Sequence, residues 1–152
     1  MPHRKRPAHP PPAVADHHPV LVLLTVCTQD RKAILATRSA HETLVAVWKD
    51  ADAWAVGRYV LMPDHIHLFC SPATGRTPLV NWVAYWKSLA SRRWAIAKER
   101  PLWQKNFWDR QLRDSENYQQ KWEYVRANPV RARLVANAED WPFAGVMTVL
   151  TF

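Results

Sequence analysis

Residues 54–71 read WAVGRYVLMPDHIHLFCS, and these two apolar segments around a short polar break decide the fold. The segments Trp54–Met62 and His65–Ser71 are rich in β-branched and aromatic residues, which is typical of buried strands. Pro63 and Asp64 stand between them and favour a tight turn. The sequence therefore predicts an antiparallel hairpin in the middle of the chain.

Further elements are predicted on both sides of this hairpin. Val20–Thr28 reads as another buried strand, residues 99–113 as an irregular segment or a short strand, and residues 130–152 as a packed loop. Because Pro129 disfavours helical geometry at Asn128, the last helix is expected to end just before that residue. Helical spacing predicts three helices, from Thr37 or Ser39 to about Asp50, from Thr77 to about Lys98, and from Asp114 or Ser115 to about Ala127.

The order strand, helix, hairpin, helix predicts an α+β fold with helices packed on one antiparallel sheet, of ferredoxin-like or RRM-like topology. The chain has 152 residues, 48% of them hydrophobic, which suits one domain with a real core. Residues 1–19 hold six of the twelve prolines and predict a disordered basic arm, so the single domain is expected to span residues 20–152. Cys27 and Cys70 lie in apolar runs and read as buried thiols.

The balance of charge suggests a polyanionic partner. The chain contains twenty-one Lys and Arg residues and thirteen Asp and Glu residues, which gives a formal net charge of +8. No segment resembles a signal peptide or a membrane span, so a cytoplasmic, nucleoid-associated protein is expected.

His65 and His67 are the first candidate site. On a strand, residues i and i+2 share a face, so the two imidazoles are expected to point the same way. Two neighbouring imidazoles are the beginning of a divalent-metal site, although two histidines on a half-exposed strand face explain the pattern about equally well. A metal would need a third ligand from another element.

The last predicted helix offers such a ligand. Its apolar stripe is Tyr118, Trp122 and Val125, and Tyr124 lies about 120° from the centre of that stripe. Asn128, four residues later, shares the face of Tyr124. A tyrosine away from the core and beside an amide oxygen suggests a nucleophile next to a metal ligand, although most such tyrosines are half-buried packing residues.

A basic, tryptophan-rich region suggests nucleic acid. Residues 76–113 carry nine Lys or Arg against two acids, with five tryptophans interleaved. Positive charge binds phosphates, and indole faces stack on unpaired bases at about 1–3 kcal/mol each. A solvated helix face over a tryptophan-rich core is the alternative, and most of the tryptophans are expected to be core. The candidate nucleic-acid contacts are Lys87, Arg92, Arg93, Lys105, Arg110 and Arg113, with Lys121 and Arg126 on the last helix.

Four motifs resemble a known family. YVLMPDHIHLF at 59–69 resembles the histidine-hydrophobe-histidine motif of the IS200-like, Y1-type HUH transposases. LWQKNFWDRQLRDSENY at 102–118, WEYVRANPVRARLV at 122–135 and EDWPF at 139–143 resemble its subgroup of REP-associated tyrosine transposases. The resemblance covers the chain from about residue 20 to residue 143.

This resemblance implies an RRM-like sheet with both histidines on a central strand and a nucleophilic tyrosine on a nearby helix. By motif position, His65, His67 and Asn128 would ligate Mg²⁺ or Mn²⁺, and Tyr124 would form a 5′-phosphotyrosine bond. The implied partner is a single-stranded DNA hairpin from a repetitive extragenic or transposon-end sequence, bound by a monomer or a homodimer. The alternative is a catalytically silent single-stranded nucleic-acid-binding protein of the same fold.

One residue departs from the family pattern. Arg133 stands where relatives usually carry a small, glycine-like turn residue, so an unusual backbone is expected there.

Overall fold

The computed structural model describes residues 20–152, and its centre is a five-stranded antiparallel sheet in the order β4-β1-β3-β2-β5. The strands are β1 (Val22–Cys27), β2 (Trp54–Leu61), β3 (His65–Pro72), β4 (Trp108–Gln111) and β5 (Ala144–Val146). The helices are α1 (Arg38–Asp50), α2 (Leu79–Arg93), α3 (Ser115–Arg126) and α4 (Asn128–Arg131). The order β1-α1-β2-β3-α2-β4 with β1 and β3 central confirms the predicted α+β, ferredoxin-like fold. The arm expected at residues 1–19 lies outside the described residues.

The two faces of the sheet carry different cores. Ile66, Leu68 and Cys70 of β3 point to the face covered by α1 and α2, where the larger core lies. Phe69 points to the other face, where a smaller core forms with Val125 of α3. As expected, most tryptophans belong to the larger core. The tryptophans buried there are Trp48, Trp54, Trp82, Trp86 and Trp94.

Two helices begin at the residues that the sequence predicts as caps. The Thr37 hydroxyl accepts a hydrogen bond from the Ala40 N–H at 3.0 Å, and the Asp114 carboxylate accepts one from the Asn117 N–H at 2.7 Å. Each bond satisfies an N–H that the helix itself leaves without a partner. The helix α2, by contrast, ends at Arg93 and not near Lys98. The chain turns there because Trp94 enters the core and takes an extended conformation.

The C-terminal region contains more regular structure than the predicted loop. Ala144–Val146 extends the sheet beyond β2, and Asn128 is helical because it opens α4. The expectation of non-helical geometry at Asn128 was wrong: Pro129 lies in the first turn of α4, where a missing N–H costs nothing. Residues 108–111 form a short strand, one of the two interpretations of that segment.

The end of α4 confirms the unusual backbone at Arg133, whose φ is 61°. The Arg133 N–H donates to the Val130 carbonyl and the Leu134 N–H to the Pro129 carbonyl, both at 2.9 Å. These two bonds form a Schellman motif with arginine at the position that glycine usually takes.

Cys27 and Cys70 are buried, as predicted, and neither forms a disulfide. Within residues 20–152, no helix is both long enough and apolar enough to cross a bilayer.

Candidate active site

His65 and His67 lie side by side on the central strand β3, on the face of the sheet that α3 covers. Their ring centroids are 4.8 Å apart. His65 Nδ1 lies 2.7 Å from Asp64 Oδ1, and His67 Nδ1 lies 3.0 Å from Thr25 Oγ1. When Nδ1 carries the proton in these contacts, Nε2 of each ring presents a lone pair to a ligand.

Asp64, which orients His65, is itself held by Arg31. Arg31 Nε donates to Asp64 Oδ2 at 2.9 Å. Burial raises the pKa of the Asp64 carboxyl, but hydrogen bonds from Arg31 and His65 outweigh it, so this pKa lies below its usual value. Asp30 and Arg31 both have a positive φ, 57° and 54°. This backbone conformation is strained for residues other than glycine, and it is the conformation in which the Arg31 guanidinium reaches Asp64.

Both imidazoles are kept neutral by their surroundings. Burial lowers the pKa of His67 to about 3, and the charges of His65, Arg131 and Arg31 act in the same direction. Burial also lowers the pKa of His65, although Asp64 opposes it. The neutral imidazole is the form that binds a metal ion.

Tyr124 lies on a solvent-exposed flank of α3, and Asn128 lies at the start of α4. The Tyr124 side chain is 65% exposed, whereas Val125 beside it is buried against the sheet, which is the helical phase the sequence predicts. Arg131 joins the pair: its Nη2 donates to the Tyr124 carbonyl at 2.6 Å and to Asn128 Oδ1. Its guanidinium carbon lies 3.8 Å from the centroid of the Tyr124 ring.

Arg131 also relates this pair to the histidines, because its charge is one of those that lower the pKa of His67. Among residues 20–152, no group of three His, Cys, Asp or Glu side chains is arranged to hold a metal ion. A third protein ligand would therefore be of another type, such as the amide oxygen of Asn128. Two imidazole nitrogens and one amide oxygen can hold a divalent cation, and of the two expected ions they suit Mn²⁺ better than Mg²⁺, which prefers oxygen ligands.

Comparison with known proteins identifies the family of this chain. A family model described as "Transposase IS200 like" matches residues 18–127. The chain belongs to the IS200-like transposase family. The resemblance drawn from the motifs is thereby confirmed.

Its relatives include REP-associated tyrosine transposases. The chain is 23% identical over 123 residues to the REP-associated tyrosine transposase of Escherichia coli (strain K12), covering 79% of this chain and 72% of that protein. A provisionally named REP-associated tyrosine transposase from Haemophilus influenzae is 24% identical over 137 residues, covering 82% and 78%. A solved REP-associated tyrosine transposase bound to a REP hairpin superposes with a TM-score of 0.71 at 20% identity, covering 93% of this chain and 81% of that one. This likeness confirms the fold.

The predicted DNA contacts of this IS200-like chain fall on both faces of the sheet. Arg110 pairs with Leu23 on β1 and therefore lies on the histidine face, whereas the exposed Arg113 lies beyond the end of β4. Lys121 and Arg126 are on α3, which covers the same face.

The remaining predicted contacts lie elsewhere. Lys87, Arg92 and Arg93 are on α2, against the opposite face, and Lys105 is in the exposed segment before β4. Two of these cations already have partners: Lys87 Nζ donates to the Gln104 carbonyl at 2.7 Å, and Arg93 pairs with Asp50 at 2.8 Å. Their roles in DNA binding stay predictions.

Sequence reasoning missed four residues around the site: Thr25, Arg31, Asp64 and Arg131. Thr25 had a signal, because a threonine inside the apolar run VLVLLTVCT is a polar group in a buried strand. Asp64 was read only as a turn residue, although it adjoins His65. Arg31 had no signal, because its contact with Asp64 joins residues 33 positions apart. Arg131 had one, because it lies three residues after Asn128, a spacing at which helical side chains meet.

Proposed function

We propose that this chain is a metal-dependent single-stranded DNA endonuclease and strand transferase, with Tyr124 as the nucleophile. The observation that supports it best is that two oriented imidazoles lie side by side on a central strand, and that Arg131, whose charge acts on His67, contacts both the exposed Tyr124 and Asn128. A structural role would not require the tyrosine ring to be exposed or both Nε2 atoms to be left available.

In this proposal Tyr124 Oη attacks a backbone phosphorus in line with the bond to the 3′ oxygen. The P–Oη bond forms and the P–O3′ bond breaks, the phenol loses its proton, and the leaving strand ends in a 3′-hydroxyl. The product is a 5′-phosphotyrosine. Because the phosphodiester energy is conserved, a 3′-hydroxyl of another strand can reverse the step and rejoin the DNA.

His65, His67 and Asn128 would hold the divalent cation. When bound, such a cation acts as a Lewis acid that polarises a phosphoryl oxygen and neutralises its developing charge. Asp64 and Thr25 fix the two imidazole rings through Nδ1, so that the ligand atoms need no reorganisation.

The substrate in this proposal is single-stranded DNA next to a hairpin. The solved relative was bound to a REP hairpin, and this chain carries cations on its histidine face at Arg110 of β4 and at Lys121 and Arg126 of α3. Positive charge on that face would hold the phosphates near the nucleophile.

A single gel tests the chemistry. Labelled hairpin oligonucleotides taken from the repeats beside the gene are incubated with the protein, with and without Mn²⁺, and separated under denaturing conditions. We expect a covalent protein–DNA band that requires both Mn²⁺ and Tyr124, and that is absent in Tyr124→Phe. Tyr85→Phe is the matched control, because Tyr85 is also exposed (52%) but lies on α2 at the opposite face.

An equal covalent band in Tyr124→Phe would refute Tyr124 as the nucleophile. One observation favours the binding-only alternative: Asn128 Oδ1 already accepts a hydrogen bond from Arg131. Retarded DNA on a native gel without a covalent band would support that alternative.

A further inference from the structure

A groove of about 390 Å³ opens beside α3 on the histidine face of the sheet. Its walls are formed by α3, β2, β5 and the turn at residues 138–141. The volume lies in the lower part of the range of small-molecule sites, about 300–1,000 Å³. The residues that give it chemical character are Arg58, Trp122, Arg126, Glu139 and Trp141.

This groove begins one strand away from the candidate active site. Val60 and Ala144, which pair across β2 and β5, are among its lining residues. Val60 is also the direct partner of His67 on β3. Residues opposite each other in this way have Cβ atoms about 5 Å apart, so the groove and the histidine pair are neighbours on one surface.

Arg58 is available to bind an anion in the groove. Its guanidinium carbon lies 5.1 Å from the centroid of the Trp122 ring and 5.5 Å from that of Tyr118. Within residues 20–152 it forms no ion pair with a carboxylate. A guanidinium packed on aromatic rings keeps its forked N–H donors, which match a phosphate. Arg126 is a second cation, at 3.6 Å from Glu139.

The other groups suit a nucleobase. The Trp141 indole is fixed, because its N–H donates to the Leu61 carbonyl at 2.9 Å and its ring packs edge-on against Phe143. Such a fixed indole offers an apolar surface to a base. The Glu139 carboxylate accepts hydrogen bonds only, which matches the exocyclic amino group of a base.

We propose that this groove binds one unpaired nucleotide of the strand that flanks the cleaved bond. Its phosphate lies at Arg58 and Arg126, and its base lies against Trp122, Trp141 and Glu139. The base carries an exocyclic amino group, as adenine, cytosine and guanine do and thymine does not. This inference rests on the proposed single-stranded DNA function and names a specificity site for it.

The position on α3 determines which nucleotide is bound. Trp122 and Arg126, four residues apart, share the flank of α3 that lines the groove. Tyr124 lies on the other flank, beside Arg131. The bound nucleotide is therefore not the one at the cleaved bond but one farther along the strand.

Equilibrium binding in the Tyr124→Phe background, without divalent metal, tests the groove separately from cleavage. The first two probes are a labelled DNA hairpin without flanks and the same hairpin with unpaired flanks made only of thymine. In the other probes, one flank thymine at a time is replaced by adenine, cytosine or guanine. We expect one flank position at which an amino-bearing base raises affinity about tenfold. Arg58→Gln and Arg126→Gln should weaken flanked probes more than the bare hairpin, and Glu139→Ala should abolish the preference over thymine.

Arg38→Gln is the matched control, because Arg38 is a 91% exposed arginine on α1, at the opposite face. Its effect on flanked and bare probes should be the same. Thermal unfolding confirms that each variant folds, and Arg126→Gln decides the test if Arg58→Gln does not fold.

Equal losses on flanked and bare hairpins, or no base preference at any flank position, would overturn the groove assignment. Other results separate the groove assignment from the proposed nuclease function. A flank preference without a metal-dependent covalent band in the wild type would refute cleavage and leave the groove assignment standing. A covalent band without any flank preference would refute the groove assignment and leave the nuclease function standing. Absence of binding to every probe would overturn both proposals.

Discussion

Arg131 contacts both the proposed nucleophile and the proposed third metal ligand, and its charge acts on His67. Replacing it by glutamine removes a positive charge and a donor that occupies Asn128 Oδ1. We expect Arg131→Gln to bind Mn²⁺ several-fold more tightly, because a cation near the site repels a second cation. Titration of the protein with Mn²⁺, followed by electron paramagnetic resonance, measures this change.

Weaker Mn²⁺ binding in Arg131→Gln would contradict this prediction. It would show instead that Arg131 holds Asn128 in the geometry that binds the ion. Arg92→Gln is the control, because Arg92 is an exposed arginine on α2 at the other face.

The neutral histidines make stability depend on pH. Burial lowers the pKa of His67 to about 3, whereas an unfolded histidine has a pKa of about 6.5. Between these values the unfolded chain binds more protons than the folded one. The free energy of unfolding should therefore fall as the pH drops through this window, by up to about 1.4 kcal/mol per pH unit for this residue.

Urea unfolding of the wild type and of His67→Gln at pH 7 and pH 5 measures that contribution. We expect a smaller loss of stability between these pH values in the variant. The pKa values of His65 and His41 are also lowered, mainly by burial, so part of the loss remains. An identical loss in both proteins would contradict the assignment to His67.

Single residues of the site differed in how well they could be predicted. The shared face of His65 and His67 follows from the two-residue period of a strand. The contact between Thr25 and His67 joins residues 42 positions apart, and it depends on the register between β1 and β3. This register cannot be predicted from a local sequence pattern, because it depends on how two distant strands align.

At the level of elements, the short helix α4 ends with a residue that its backbone does not favour. Arg133 has a φ of 61°, which costs an L-residue about 1–2 kcal/mol, and glycine avoids this at a smaller cost in unfolded-state entropy. We expect Arg133→Gly to raise the free energy of unfolding by about 0.5–1 kcal/mol, measured by urea denaturation. Ala132→Gly is the control: its φ is −81°, so glycine there should destabilise by a similar amount.

The elements that sequence reasoning missed are the shortest ones. The strand β5 has three residues and α4 has four, and neither is long enough to show a hydrophobic period. Pro129 was also misleading, since proline ends a helix from its interior but is tolerated in a first turn. The long segments, with their caps at Thr37 and Asp114, were predictable because propensity, capping and period agree there.

For the whole molecule, the division of the cations between two faces predicts which of them bind DNA. If single-stranded DNA lies on the histidine face, Arg110 and Lys121 contact phosphates and Arg92 and Arg93 do not. Replacing Arg110 and Lys121 by glutamine removes two phosphate contacts. The slope of log affinity against log salt should then become less steep by about 1.4, or about 0.7 for each lost contact. The slope for Arg92→Gln with Arg93→Gln should equal that of the wild type, and a flatter slope for this pair would place DNA on the other face.

The topology was predictable and the placement of charge was not. A strand-helix-hairpin-helix order allows few sheet arrangements, and the family resemblance implies the central position of the histidine strand. The basic residues form one stretch in the sequence, yet α2 and β4 present them to different faces. Which face a helix covers depends on the handedness of its connections and on the packing of the whole sheet.

The helix α3 is attached to the sheet by a small contact. Val125 is its one buried residue, and Tyr118 packs on Phe69 with ring centroids 4.9 Å apart. Units with few buried contacts open locally while the rest of a protein stays closed. Opening of α3 with α4 would carry Tyr124 and Asn128 away from the sheet and leave the two histidines in place. The lifetime of the complete site is then set by the local opening of this helical pair, and the tryptophan-rich core on the far side can be far more durable than the site it supports.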